Sequence, residues 1–125
     1  MKKKILTGLC ILVGLLFING GLNKFLGYIP EPTDLPEDVL QAMNAMKQIV
    51  WLMPLLAVAE IVGGALLMVP KLRALGAVIL FPVLAGIVLH HITIAPSGLP
   101  IALVILAIFV WVVYEEREKF ISLVS

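Results

Sequence analysis

Four apolar stretches occupy most of this chain, and each reaches or approaches the length of a bilayer-crossing helix. They run from residue 5 to about residue 29, from 49 to 69, from 74 to 94 and from 99 to 114. A helix rises ~1.5 Å per residue, so ~20 apolar residues cross a hydrocarbon core of ~30 Å. The last stretch is short for this, and Glu115, Glu116 and Arg117 extend it by reaching to the headgroups. A soluble core cannot absorb so much apolar chain. Hydrophobic residues make up 62% and charged residues 14%, where average globular chains have ~45–50% and ~25%. No stretch alternates apolar and polar residues as an outer-membrane strand does. The expected fold is therefore all-α, an integral membrane four-helix bundle forming a single transmembrane domain over residues 1–125.

The connections set the topology. Lys71-Leu72-Arg73 and Ala95-Pro96-Ser97-Gly98 are tight turns, so the second, third and fourth spans are antiparallel neighbours. Pro70 and Pro96 stop helices because proline lacks an N–H and its ring clashes with the preceding turn. The first loop is longer. Residues 30–36 read as an extended loop, with Thr33 or Asp34 as cap of a helix starting near Pro36. From Glu37 to Gln48, Val39, Leu40, Met43 and Met46 share one side, continued by Ile49. That spacing predicts an interfacial amphipathic helix that merges into the second span. Lys2, Lys3, Lys4, Lys71, Arg73, Arg117 and Lys119 fall on one side of this topology, and only Lys24 and Lys47 on the other. The excess of basic residues on the cytoplasmic side of membrane proteins predicts both termini inside, with the spans in the cell's cytoplasmic membrane. The Lys2–Lys4 start resembles a secretory signal, but no small-residue cleavage site follows, so the first stretch is expected to be retained as a span.

Polar residues inside the spans carry the functional information. Glu60 stands about ten residues from either end of its span, where a charge costs ~2.5–3.5 kcal/mol on insertion scales. It must face protein, pair or be protonated. Ala57, Glu60 and Gly64 share a helical face with Gly63 beside them, and small residues admit a neighbouring helix. Asn19 and Asn23 are one turn apart in the first span. Lys24 follows them, either as an anchor to the headgroups or as counter-ion to Glu60. His90 shares a face with Pro82 and Gly86, which marks it, rather than His91, as the inward histidine. If these helices are neighbours, Asn19, Asn23, Lys24, Glu60 and His90 converge on a half-polar, outward-opening pocket for a ligand or proton. Tyr28 and Trp51 stand at its mouth or in an ordinary aromatic belt.

Several chemistries find no residues here. The single Cys10 gives neither a disulfide nor a CxxC pair within one chain. No phosphate loop, HExxH or paired metal-ligand spacing occurs, so no metal site is expected. No dense basic patch points to nucleic acid. No complete catalytic motif is present, so enzyme status stays open.

In this order and spacing, Gly21-Leu22-Asn23-Lys24-Phe25, the run Pro54 to Gly64, His90 ahead of Ala95-Pro96-Ser97-Gly98, and Tyr114 followed by Arg117 and Phe120 resemble the DoxX family of small four-span bacterial membrane proteins. Asn23, Glu60 and His90 match the family's recurring polar positions. The resemblance implies an accessory subunit of a membrane redox system, linked to quinone or to thiol and oxidative stress. Its partners would be the lipid bilayer and other membrane or periplasmic redox proteins, with a homo-oligomer open and quinone as the candidate cofactor. Two alternatives stay open: a small proton-coupled exporter acting as an oligomer, and a non-catalytic scaffold or assembly protein.

Overall fold

The computed structural model describes residues 2–28, 35–94 and 96–123. These fold as α1 (Lys2–Leu26), α2 (Glu37–Gln48), α3 (Leu52–Met68), α4 (Arg73–Thr93), α5 (Leu99–Glu115) and α6 (Arg117–Ser122). Single 3-10 turns at Pro70–Leu72 and Pro96–Gly98 join α3 to α4 and lead into α5. No strand occurs among the described residues. Three stretches, Lys2–Leu26, Pro70–Thr93 and Pro96–Glu115, are long and apolar enough to cross a membrane. The fourth member of the bundle, α3, has 17 residues, about 26 Å of helix.

Helix ends follow local chemistry. The first span, expected to reach residue 29, stops at Leu26 because Gly27 turns left-handed with φ +63°. Its N–H still bonds the Asn23 carbonyl at 2.7 Å, a glycine C-cap. The amphipathic helix forms over the expected Glu37–Gln48, and Val39 is its buried residue. It does not merge into the second span: α2 and α3 meet at 91°. Pro54 explains the break. In a continuous helix its ring would press on the carbonyl of Val50, whereas in the first turn of α3 its missing N–H costs nothing. The proposed caps Thr33 and Asp34 lie outside the described residues.

The bundle is a ring in which α1 packs along α3, α3 along α4 and α4 along α5, with a narrower contact from α5 back to α1. Its most extensive seam is α1 on α3. A Cβ on Gly14 would lie 2.6 Å from the Gly64 carbonyl oxygen, and a Cβ on Gly21 2.7 Å from that of Ala57. The two crossings are one heptad apart on both helices, so the backbones run in contact over two turns. On the other side of α3, a Cβ on Gly76 would lie 2.6 Å from the Leu67 amide nitrogen and 2.8 Å from the Gly63 carbonyl oxygen. The core between the helices contains Leu6, Cys10, Val13 and Phe17 of α1, Leu67 of α3, Leu80 and Leu84 of α4, and Phe109 and Val112 of α5. Phe17 and Phe109 meet edge to face at 6.2 Å and close the ring.

The orientation of α4 differs from the sequence expectation. Its buried residues are Arg73, Ala74, Gly76, Ala77, Leu80, Val83 and Leu84. Pro82 and Gly86 are exposed, and a Cβ on Gly86 would meet nothing within 4 Å. The face of Pro82, Gly86 and His90 is thus not the inward one. Ala77, Leu80 and Leu84 fill the space, because the Gly63–Gly76 crossing fixes the rotation of α4 about its axis.

Candidate functional site at the Lys24–Glu60 pair

Glu60 lies midway along α3 and is buried, its side chain only 7% exposed. Ala57, Glu60, Gly64 and Leu67 form the buried stripe of α3, as the small-residue pattern indicates. Lys24 Nζ donates to both carboxylate oxygens, at 2.9 Å to Oε1 and 3.0 Å to Oε2. Both oxygens of a mid-bundle carboxylate are therefore held by one ammonium.

Helix direction makes this pair reachable. Side chains on a helix lean toward its N-terminus. In α1 that tilts Lys24 from the helix end back toward the middle of the bundle. In the antiparallel α3 it tilts Glu60 in the opposite sense, toward the Lys24 end. The two lean toward each other across the glycine seam. Gly20 leaves room, since a Cβ there would lie 3.1 Å from Glu60 Oε2. The lysine side chain is 25% exposed, so the pair sits at the rim of the bundle with its cation turned inward.

The other expected site residues lie along α1 and near the end of α4. Asn19 is exposed, and its backbone oxygen accepts from the Tyr28 hydroxyl at 3.0 Å. Its side-chain Oδ1 accepts from the same hydroxyl. The left-handed Gly27 reverses the chain, which brings Tyr28 back over α1. Asn23 is half-buried on α1. His90 is half-buried near the end of α4, its ring 5.4 Å from that of His91 in an edge-on contact. His91 packs against Gly98 of the following turn. The structure therefore joins Lys24 to Glu60 and Asn19 to Tyr28, and places His90 beside His91. Trp51 is 65% exposed at the start of α3.

Sequence reasoning missed a buried cation at the opposite end. Arg73, read as a turn residue, opens α4 and is 5% exposed. Its Nη2 donates to Thr7 Oγ1 of α1 at 2.8 Å. Its Nε is buried without a hydrogen-bond partner. The available signal was periodic, for Arg73 lies one turn before Ala77 on the stripe that continues to Leu80 and Leu84.

No group of three or more metal-ligating side chains occurs among the described residues. An apolar groove of about 190 Å³ lies away from the ion pair, between α4, α5 and α6, with Phe81, Pro82, Phe109 and Phe120 among its walls.

Apolar helices long enough to cross a bilayer, packed as a bundle with an ion pair between two of them, define a multi-pass helical membrane protein. The chain belongs to the DoxX family, whose model matches residues 5–92. The matched region holds the whole α1–α3 seam, Lys24, Glu60 and both histidines. No curated protein and no solved structure matches the chain.

Proposed function

We propose that this chain is an accessory subunit of a membrane redox system, in the bacterial inner membrane with both termini cytoplasmic. The Lys24–Glu60 pair is its ligand-facing centre and a quinone its candidate ligand. The supporting observation is the pair itself. A mid-bundle carboxylate is costly in a membrane, and here its partner is a lysine whose side chain is one quarter exposed, with the ammonium turned in to the carboxylate. An ammonium so placed can donate to a quinone carbonyl oxygen, and the carboxylate beside it can pass a proton. Reduction of a quinone to a quinol takes two electrons and two protons. The electrons would come from a partner redox protein, and the Lys24–Glu60 pair would handle protons at the carbonyl oxygen. Asn19, Asn23 and His90 belong to this reading as further polar groups of the outward-facing half.

Mass spectrometry of small molecules and proteins retained by the full chain in mild detergent tests the proposal. Quinone should accompany the wild type together with redox partners. It should be lost from Lys24→Gln and Glu60→Gln while the helical fold remains. Absence of quinone from the wild type with stable partner enrichment would overturn the ligand reading in favour of a scaffold. Efflux driven by a proton gradient in vesicles would overturn it in favour of an exporter.

A further inference from the structure

At the end of the bundle opposite Lys24, two features adjoin that the redox reading does not use. One is the apolar groove. Its volume of about 190 Å³ exceeds the ~150 Å³ of an apolar cavity known to take up benzene, and phenylalanine rings supply much of its wall. The other is charge. Ala77 of the groove wall lies one turn beyond Arg73, and Phe120 of the wall is next to Lys119. Lys119 Nζ donates to the Lys71 carbonyl at 3.4 Å and pairs with Glu116 Oε2 at 3.1 Å, so α6 folds back beside the turn that holds Lys71. Arg73 makes no ion pair among the described residues, and its buried Nε has no partner. This end of the bundle carries Lys2, Lys3, Lys4, Lys71, Arg73, Arg117 and Lys119 against Glu115, Glu116 and Glu118, seven basic residues to three acidic.

We propose that this groove binds one anionic phospholipid, with an acyl chain between α4 and α5 and the phosphate at the Lys71–Lys119 end. An apolar channel ending in positive charge at the headgroup level matches an acidic lipid at both of its ends. A zwitterionic lipid carries the same phosphate, but its headgroup cation meets like charge at that end. Basic residues near an anionic surface each add attraction for such headgroups, and the Arg73 charge acts in the same direction.

Thermal melting of the full chain in neutral detergent tests this, with phosphatidylglycerol, phosphatidylcholine of the same chains, or inorganic phosphate added. Phosphatidylglycerol should raise Tm at least twice as much as phosphatidylcholine, and inorganic phosphate should leave it unchanged. The selective rise should fall by half or more in Lys71→Gln/Lys119→Gln, whose side chains are exposed, and should vanish in Val78→Trp, which fills the groove. Equal shifts from both lipids would overturn the proposal. So would a shift from phosphate alone, or a full selective rise in Val78→Trp. Native mass spectrometry provides a second reading that does not depend on variant folding. One phosphatidylglycerol per chain should survive delipidation that removes phosphatidylcholine, and equal retention of the two would contradict the site.

Discussion

Replacing Gly64 by alanine isolates the role of the α1–α3 seam. The new Cβ would stand 2.7 Å from the Gly14 carbonyl oxygen, with Ile18 Cγ1 at 3.1 Å and the Ile18 amide nitrogen at 3.3 Å. Ordinary contact begins near 3.4 Å, and 3.4 less 2.7 leaves 0.7 Å of separation to be opened between two backbones. Neither backbone can rotate away as a flexible side chain could. Overpacking of this kind costs about 1–3 kcal/mol, opposed by a helix-propensity gain of up to about 1 kcal/mol for glycine to alanine. Gly8 and Gly86 supply the controls, since a Cβ at either meets nothing within 4 Å. Gly8→Ala and Gly86→Ala should show the propensity gain alone. The expected order of stability in detergent, by thermal melting or sodium dodecyl sulfate titration, is Gly8→Ala at or above wild type and Gly64→Ala below it. The separation between the two should be about 1–3 kcal/mol. A Gly64→Ala variant as stable as Gly8→Ala would refute the claim that backbone contact sets this seam.

Other expectations follow from the same packing. Phe109→Ala removes a ring that is 2% exposed and edge-on to Phe17, and should destabilise by about 3–5 kcal/mol. A loss below about 1 kcal/mol would mean that α5 does not close the bundle through that pair. Reporter fusions at Ser125 and within 71–73 should both read cytoplasmic, as the basic-residue asymmetry requires, and a periplasmic reading at either position would reverse the topology. Tyr28→Phe removes the hydroxyl that bonds Asn19 and should raise amide exchange at residues 27–28 while leaving the melting of the bundle unchanged. Unaltered exchange there would show that the contact does not hold the turn.

The parts legible in the sequence were those governed by one strong term. Apolar length defined the helices, and the cost of burying Glu60 turned it toward protein. Ala57 and Gly64 beside it indicated which face meets another helix, and α3 uses that face. The rotation of α4 was not legible in the same way. Pro82, Gly86 and His90 share a face that reads as inward, but Gly76, one turn into the helix, makes the backbone contact with α3. A small residue marks a close approach only when a partner backbone stands opposite, and the sequence does not contain that pairing. The 91° turn before α3 depended on Pro54, which reads equally as an ordinary first-turn proline. Lys24 was ambiguous for a reason of geometry. A lysine near a helix end can reach the headgroups or lean back along its helix, and the choice depends on an acceptor in a different helix.

The account centres on the Lys24–Glu60 pair, and a double-mutant cycle of unfolding free energies in detergent tests it most directly. Lys24→Met strands Glu60 at mid-bundle, where an unpaired acid costs about 2.5–3.5 kcal/mol. Glu60→Gln strands Lys24 two residues from the end of α1, where it can turn to the headgroups, and the loss should be about 1 kcal/mol. Lys24→Met/Glu60→Gln removes both charges together and should be more stable than Lys24→Met alone, with a coupling of about 1–3 kcal/mol. Losses that add to within about 0.5 kcal/mol would contradict the account, for they would show that the two residues do not interact in the folded protein.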